Sequence, residues 1–201
     1  MLRCAITDGR ASGFVNNAQI DRLQDQVQRW AADSIDIIQL REKHLEAGAL
    51  LTLADVALRA IQDTNSSTKL LINGRADVAI AARAHGVHLT AHPDELTPQQ
   101  IRSLYAHVRL APPVISISCH TPEEVIRARD CGVDYILFGP IFEKRVDGEV
   151  VTEGVGIEAL RQACSLAESI PVLALGGITA ENSGACLEAG AAGIAGIRTF
   201  L

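Results

Sequence analysis

An α/β fold with parallel strands is predicted by an alternation of two kinds of segment along these 201 residues. Short runs rich in Val, Ile and Leu alternate with longer segments in which apolar residues recur at helical spacing. Hydrophobic residues make up 48% of the chain and aromatic residues only 3%, a composition typical of parallel sheets covered by helices. Since parallel strands need crossover connections, the alternation predicts a series of βαβ units.

Eight strands are predicted, and eight βα units are the number that closes a parallel sheet into a barrel. The first strand is not followed by the GxGxxG fingerprint of dinucleotide-binding open sheets. We therefore predict a (β/α)8 barrel of the TIM type that forms a single domain over residues 1–201. The predicted strands are Arg3 to Thr7, Ile35 to Leu40, Lys69 to Ile72, Gly86 to Leu89, Val114 to Ser118, Asp134 to Phe138, Pro171 to Leu175 and Gly193 to Ile197.

Seven helices are predicted between these strands, so the eighth helix of a complete barrel is missing. Only four residues follow the last predicted strand. We expect a second copy of the chain to cover the gap in a homodimer, and a sequence shortened at this end is the alternative. The segment from Glu143 to Gly154 is charged and contains glycine, which predicts a flexible loop over the barrel mouth. The predicted helices are Asn16 to Asp33, Ala47 to Thr64, Arg75 to Ala84, Thr97 to Tyr105, Pro122 to Cys131, Gly156 to Glu168 and Thr179 to Ala189.

The net charge of −6 comes with basic residues that are scattered along the chain. This distribution argues against a nucleic acid or an anionic membrane as the main partner and favours a small molecule. The five cysteines form no C-x-x-C motif, and their odd number favours reduced thiols in the cytoplasm. Cys119 precedes His120, but neighbours in a strand point to opposite faces, which makes the pair a poor catalytic dyad. No signal peptide or membrane-spanning segment is expected.

Polar side chains follow several predicted strands at their carboxyl ends, where the loops of such a barrel gather ligand-binding groups. In the run Gln-Leu-Arg-Glu-Lys, alternation places Gln39, Arg41 and Lys43 on one side with Leu40 behind them. Two cations and an amide that face one ligand favour an anionic substrate. The alternative to ligand binding is a structural role, in which Arg41 forms an ion pair with Glu42 at the rim of the barrel.

Further polar candidates end the third, fourth and fifth predicted strands. They are Asn73, His88, Ser118 and His120. For each of the two histidines, a hydrogen-bonded place in the barrel wall is the alternative to proton transfer or substrate contact.

A phosphate-binding cradle is predicted where the last two strands end. Gly176 and Gly177 follow the seventh predicted strand, and Gly196, Ile197 and Arg198 close the eighth. Backbone N–H groups without an obstructing Cβ atom bind phosphate well, although glycine also permits tight turns. The Arg198 guanidinium at this position is suited to a bidentate phosphate contact.

Six motifs, in this order, resemble those of the thiamin phosphate synthase and TenI superfamily. The match extends from Ile6 to Ile197, and its six motifs at consistent spacing are specific for the superfamily and less so for one reaction. The resemblance implies a barrel enzyme of thiamin biosynthesis, in which Gly177 and the loop from Gly196 to Arg198 hold a thiazole phosphate. The motifs are Gln-Leu-Arg-Glu-Lys at 39–43, Leu-Ile-Asn-Gly-Arg-Ala-Asp-Val-Ala at 71–79, Gly-Val-His-Leu at 86–89, Ser-Cys-His-Thr at 118–121, Tyr-Ile-Leu-Phe-Gly-Pro-Ile-Phe at 135–142 and Leu-Gly-Gly-Ile-Thr at 175–179.

For the synthase branch, the resemblance implies a reaction between two phosphorylated substrates. A hydroxymethylpyrimidine diphosphate ionises and expels pyrophosphate held by Mg²⁺ and basic groups, and the nitrogen of a thiazole phosphate captures the cation. Stabilisation of charge carries most of this chemistry. By resemblance, Gln39, Arg41, Lys43 and Asn73 contact the pyrimidine diphosphate, and Ser118 lines the reacting centre.

Three positions depart from the synthase pattern. Gly74 stands where the family has a magnesium-binding aspartate, and the second aspartate is shifted by one position to Asp94. The threonines that grip pyrophosphate are missing after the sixth predicted strand, where Lys144 or Arg145 would have to serve. The resemblance therefore implies Mg²⁺ only for a synthase, with Asp94 as the candidate ligand.

The same departures resemble the TenI branch, whose members isomerise a thiazole carboxylate phosphate to its aromatic tautomer by moving a proton without a metal. The catalytic histidine of that branch falls at Pro140. We therefore expect His120, with Ser118 and Lys43, to carry the chemistry, and His88 is the other histidine available. The tautomerase function is favoured over two alternatives, the synthase reaction and a non-catalytic binder of thiazole phosphate.

Overall fold

The computed structural model describes residues 1–9, 15–90, 94–146 and 149–200, and it describes only the backbone of 144–146, 149 and 150. Its eight long-range parallel strands close into one barrel, which confirms the predicted α/β barrel. The strands in these ranges are β1 (Leu2–Ile6), β2 (Ile37–Leu40), β3 (Lys69–Asn73), β4 (Gly86–Leu89), β5 (Val114–Cys119), β6 (Tyr135–Phe138), β7 (Lys144–Val146), β8 (Glu149–Thr152), β9 (Val172–Leu175) and β10 (Gly193–Gly196).

The barrel is closed by two pairings of its first strand. Strand β1 pairs with β10 at Cys4 and Ala195, and with β2 at Ile6 and Gln39. The remaining strands follow in chain order, except that β6 pairs directly with β9. The segment between β6 and β9 is therefore an excursion from the barrel.

That excursion contains the antiparallel hairpin of β7 and β8. The segment from Glu143 to Gly154, expected to be a flexible loop, therefore contains two short strands in its described part, and its flexibility stays a prediction. The charged and glycine-containing composition concealed the short β-rich runs Lys144–Val146 and Glu149–Thr152.

The helices lie between the strands, and their first turns are set by capping side chains. In three cases the side chain before the first turn accepts the N3 backbone N–H, and the N3 side chain reaches back in return, as with Thr97 and Gln100. Two predicted helices, Arg75 to Ala84 and Thr179 to Ala189, were too long. The helices are α1 (Asn17–Ala32), α2 (Ala47–Asp63), α3 (Ala76–Ala81), α4 (Pro98–His107), α5 (Pro122–Asp130), α6 (Gly156–Ala167) and α7 (Ser183–Glu188).

Two apolar cores hold this fold together. The larger core lies between the outer face of the barrel and the helices. The smaller core fills the barrel interior, because alternate residues of each strand point inwards. The buried members of the inner core are Cys4, Ile6, Ile37, Leu71, Leu137, Leu173 and Ala195.

After β10 the described chain continues through bends and a turn to Phe200, and the described ranges contain no eighth helix. The indole N–H of Trp30 on α1 donates to the carbonyl oxygen of Phe200 at 2.8 Å, which ties this segment to the helix layer. None of the helices in the described ranges combines the length and apolar character needed to cross a membrane.

Candidate active site at the barrel mouth

A polar sector of the barrel interior opens towards the mouth. The register pairs Asn73 on β3 with His88 on β4, and His88 with Ser116 on β5. On the neighbouring β2, Gln39 is buried, and its Oε1 accepts a 3.2 Å hydrogen bond from Asn73 Nδ2. Four adjacent strands thus contribute inward polar side chains, and three of these were predicted as site residues.

The imidazole of His88 lies inside the barrel between two serine hydroxyls. Its Nδ1 is 2.8 Å from Ser116 Oγ, and its Nε2 is 2.9 Å from Ser118 Oγ. The side chain is only 2% exposed, so both ring nitrogens are engaged within the protein. His88 therefore lies beneath Ser118, which is half-buried at the mouth, and a direct contact of His88 with substrate stays a prediction.

The charge state of His88 follows from this position. Burial, together with the positive charges of Arg41 and Lys43, lowers its pKa from 6.5 to about 3. The imidazole is therefore neutral at physiological pH and unsuited to donate a proton as a general acid. Both cations therefore lie close enough to His88 to act on its ring.

Arg41 and Lys43 lie in the loop that follows β2 rather than in a strand. Strand β2 ends at Leu40, so the predicted strand alternation does not extend to either cation. The backbone N–H of Arg41 instead donates to Thr7 Oγ1 at 2.8 Å, which anchors the loop to the end of β1. The side chain of Lys43 is exposed, and Arg41 is partly exposed.

His120 lies at the end of β5 with its ring held at one nitrogen. The Nδ1 atom lies 2.5 Å from the carbonyl oxygen of Gly139 at the end of β6. A carbonyl oxygen can only accept, so Nδ1 carries a proton and Nε2 of the neutral ring has a lone pair. The backbone N–H of His120 donates to Glu124 at 2.6 Å, which fixes its main chain as well.

The neighbouring Cys119 is fully buried. Burial, followed by the charge of Glu124, raises the pKa of its thiol to about 12. The thiol is thus protonated at physiological pH, which agrees with the expectation that Cys119 and His120 form no dyad.

Gly176 and Gly177 are required by packing against the segment that follows β6. Both have positive φ angles, +98° and +66°, a region that L side chains rarely adopt. A Cβ atom on Gly177 would lie 2.7 Å from Phe142 Cβ, and one on Gly176 would lie 2.6 Å from Pro140. The amide of Phe142 also donates to the carbonyl of Gly176 at 3.1 Å. These glycines therefore have a structural role irrespective of any phosphate.

The loops after β9 and β10 are joined to each other, as a two-loop cradle requires. Thr199 Oγ1 donates to the carbonyl of Ile178 at 3.3 Å. Within the first loop, Asn182 accepts from the amide of Thr179 at 2.8 Å and donates to the carbonyl of Gly177 at 2.9 Å. In the second loop, Gly196 is buried, Ile197 is half-buried and Arg198 is exposed.

The carboxylates near Asn73 do not fit the two-aspartate magnesium site of the synthase branch. Gly74 offers no side-chain ligand, and the carboxylate nearest to it is that of Glu95, at 3.6 Å from the position of an added Cβ. Both Glu95 oxygens accept 2.7 Å hydrogen bonds from the backbone and hydroxyl of Thr90. Asp94 is exposed, and the described part of the chain holds no group of three ligands suited to a metal ion.

The sequence did not single out Ser116, Glu95 or Asn182. Ser116 could have been found, because the Ser-x-Ser alternation of β5 puts it on the same face as Ser118. Glu95 and Asn182 act through loop contacts for which no periodic pattern exists. The side chain of Lys144, predicted to bind substrate, lies outside the described residues.

Comparisons with known proteins show the family of this chain. The profile of the family described as "Thiamine monophosphate synthase" matches residues 5–200. The chain is 38% identical over 167 residues to the thiamine-phosphate synthase of Methanoculleus marisnigri, covering 82% of this chain and 74% of that protein. It is 33% identical over 193 residues to the thiamine biosynthetic bifunctional enzyme TH1 of Arabidopsis thaliana, covering 96% of this chain and 34% of that enzyme. The chain thus spans about a third of the length of the plant bifunctional enzymes that it matches.

A solved structure shows the same fold. The thiamine phosphate pyrophosphorylase from Pyrococcus furiosus superposes with a TM-score of 0.73 at 26% sequence identity. The superposition covers 98% of this chain and 85% of that one. With a family profile matched over almost its whole length, the chain belongs to the thiamin phosphate synthase and TenI family.

Proposed function

We propose that this chain acts on thiazole phosphate in thiamin biosynthesis and that its reaction is a proton transfer of the TenI type. The phosphate is bound at the loops after β9 and β10, and the ring of the ligand extends across the mouth towards β5. The tertiary contact between Thr199 and Ile178 supports this cradle, because it holds the two loops side by side.

The observation that carries the proposal is the hydrogen bond between His120 Nδ1 and the Gly139 carbonyl. It leaves the lone pair of Nε2 available to take a proton from the thiazole and return it at another ring position. The nearby histidine, His88, is buried and engaged at both nitrogens, so it is not the acid–base group. Arg41 and Lys43 supply positive charge for a carboxylated or phosphorylated ligand.

The synthase reaction is the second candidate. It is favoured by the two cations beside Gln39 and Asn73 and by the name of the Methanoculleus marisnigri relative. The synthase reaction requires that pyrophosphate be held although Gly74 stands where the family has a magnesium-binding aspartate. A non-catalytic binder of thiazole phosphate is the third candidate, since the cradle does not depend on His120.

The first experiment combines thiazole phosphate, hydroxymethylpyrimidine diphosphate and Mg²⁺ and measures thiamin phosphate and pyrophosphate. We expect no magnesium-dependent product, together with binding of thiazole phosphate in a parallel titration. Formation of thiamin phosphate in the wild-type protein would replace the tautomerase proposal with the synthase reaction.

The second experiment measures isomerisation of a thiazole carboxylate phosphate by His120→Ala and by the control His107→Ala. His107 is exposed at the end of α4, away from the barrel mouth. Loss of the general acid–base should lower kcat by about 10²- to 10⁴-fold in His120→Ala, with ligand affinity unchanged. Absence of activity in both proteins with equal affinity would establish the binder instead.

A further inference from the structure

A hydrogen-bond chain crosses the barrel interior from the buried Ser116 to the mouth-facing Ser118, through His88. Both serines project inwards from β5, two residues apart, and the ring of His88 bridges them. A neutral imidazole has one N–H donor and one acceptor nitrogen. One serine must therefore donate to the ring while the other accepts from it. The hydrogen bonds can run from Ser116 to Ser118 or in the opposite direction.

The environment of Ser116 decides between these directions. Ser116 is 1% exposed, and among the described residues its hydroxyl has His88 as its single hydrogen-bond partner. If Nδ1 carried the proton, the hydroxyl hydrogen of Ser116 would be buried without an acceptor, which is costly. If Ser116 donates to Nδ1, every buried hydrogen of this Ser116–His88–Ser118 hydrogen-bond chain has an acceptor.

We infer that His88 is fixed as the Nε2–H tautomer and thereby makes Ser118 a hydrogen-bond donor into the barrel mouth. Nε2–H donates to Ser118 Oγ, and the Ser118 hydrogen is directed towards a lone pair of the ligand. His88 is thus a positioning residue that acts through Ser118, without contacting substrate. This inference rests on the proposed function only for the identity of the ligand.

The direction of the chain selects the chemistry that Ser118 can recognise. A hydroxyl held as a donor favours an acceptor such as a carboxylate, a phosphoryl oxygen or an unprotonated ring nitrogen. The neighbouring cations of Arg41 and Lys43 favour a ligand of the same kind, because they attract negative charge. A ligand whose only polar group there is an N–H donor is disfavoured.

The direct test is nitrogen NMR of the histidine rings in the ligand-free protein at neutral pH. The signals of His88 are assigned by their loss in His88→Gln. We expect a protonated Nε2 and an unprotonated Nδ1. A protonated Nδ1 would overturn the inference whether or not the protein acts on thiazole phosphate.

A double-mutant cycle with thiazole phosphate as the probe tests the action through Ser118. His88→Leu removes the donor, whereas His88→Gln keeps an amide that can donate to Ser118 and a carbonyl that can accept from Ser116. We expect about tenfold weaker binding for Ser118→Ala and for His88→Leu, with most of the affinity recovered in His88→Gln. The Leu substitution should have no further effect in the Ser118→Ala background.

Thermal unfolding of each variant separates positioning from folding. Additive losses in the double mutant, or a His88→Gln protein as weak as His88→Leu, would show that His88 is merely structural. If the wild-type protein itself fails to bind thiazole phosphate, the proposed function fails, and the NMR result still decides the tautomer. The NMR measurement still tests the tautomer of His88 if the His88→Leu protein does not fold.

Discussion

The two halves of the barrel interior differ in what their strands direct inwards. Across β2 to β5 the upper layer is polar and hydrogen-bonded, with His88 between two serines and Gln39 bonded to Asn73. Across β6, β9, β10 and β1 the inward side chains belong to the apolar inner core, including Leu137, Leu173 and Ala195. Both halves are closed by the same parallel ladder.

The difference suits the polar half to ligand recognition and the apolar half to support of the fold. In the proposed site the polar half presents side chains to the ligand, and its buried polar groups keep those side chains in one orientation. The apolar half contributes backbone instead, because Leu175 and Gly176 accept hydrogen bonds from Ile141 and Phe142 and so hold the excursion after β6 against β9. We expect substitutions in the apolar half to affect mainly stability and those in the polar half mainly binding.

The largest expected effect is on stability in the apolar half. Leu173→Ala removes a fully buried side chain from the inner core and should lower the free energy of unfolding by about 3 kcal/mol. Ser118→Ala, in the polar half, should cost less than about 1.5 kcal/mol because Ser118 is only half-buried. Urea unfolding curves of the two variants measure the difference, and equal losses would contradict the division between the halves.

A slightly smaller loss in the free energy of unfolding is expected where the excursion after β6 packs on β9. Gly177→Ala should destabilise the fold by about 2 kcal/mol, because its φ is +66° and the new Cβ atom would lie 2.7 Å from Phe142 Cβ. Gly48→Ala is the matched control, since Gly48 lies in α2 with no atom within 4 Å of an added Cβ. The control should be neutral or stabilise by up to about 1 kcal/mol. Thermal unfolding distinguishes the two, and destabilisation by both variants would point to a general effect of the methyl group.

Acid should destabilise the protein through His88 in the polar half. The folded-state pKa of His88 is about 3 against 6.5, so the folded state binds fewer protons and its stability is complete above pH 6.5 and declines as pH falls towards 3. At pH 5 the loss from this residue is about 2 kcal/mol. Burial and the charge of Lys69 also lower the pKa of His85, which adds a loss of the same sign.

Urea unfolding at pH 5 and pH 7.5 measures this dependence in the wild type and in His88→Gln. The variant should show a smaller difference between the two pH values, because the glutamine side chain has no titratable group. A variant with the wild-type difference would mean that other residues carry the pH dependence.

The smallest effect in free energy is expected at the cradle. Arg198→Ala should weaken binding of thiazole phosphate about tenfold, roughly 1.4 kcal/mol, and leave the unfolding free energy unchanged because Arg198 is exposed. Arg161→Ala on α6 is the control for loss of one surface cation. Titration calorimetry measures both, and an Arg198→Ala protein with wild-type affinity would remove this residue from the proposed site.

The alternation of apolar strands and amphipathic helices was sufficient to predict the barrel. It predicted the eight barrel strands because buried parallel strands are continuous apolar runs, such as Leu70 to Ile72. The hairpin of β7 and β8 was missed because its strands are short and lie outside the barrel, where hydrophobic periodicity is weak. The end of the second strand at Leu40 was predicted, but side-chain alternation was extended past it to Arg41 and Lys43, where the chain is no longer a strand.

The sequence by itself determined the fold, the family and the set of polar residues at the strand ends, since these depend on residue types and their spacing. Only the tertiary structure decided how each residue is placed and held there. It placed His88 beneath Ser118 and held His120 by the Gly139 carbonyl. It also showed that Gly176 and Gly177 are constrained by the chain after β6. The physical reason is that burial, hydrogen-bond partners and close contacts arise between strands distant in sequence, which a local pattern does not encode.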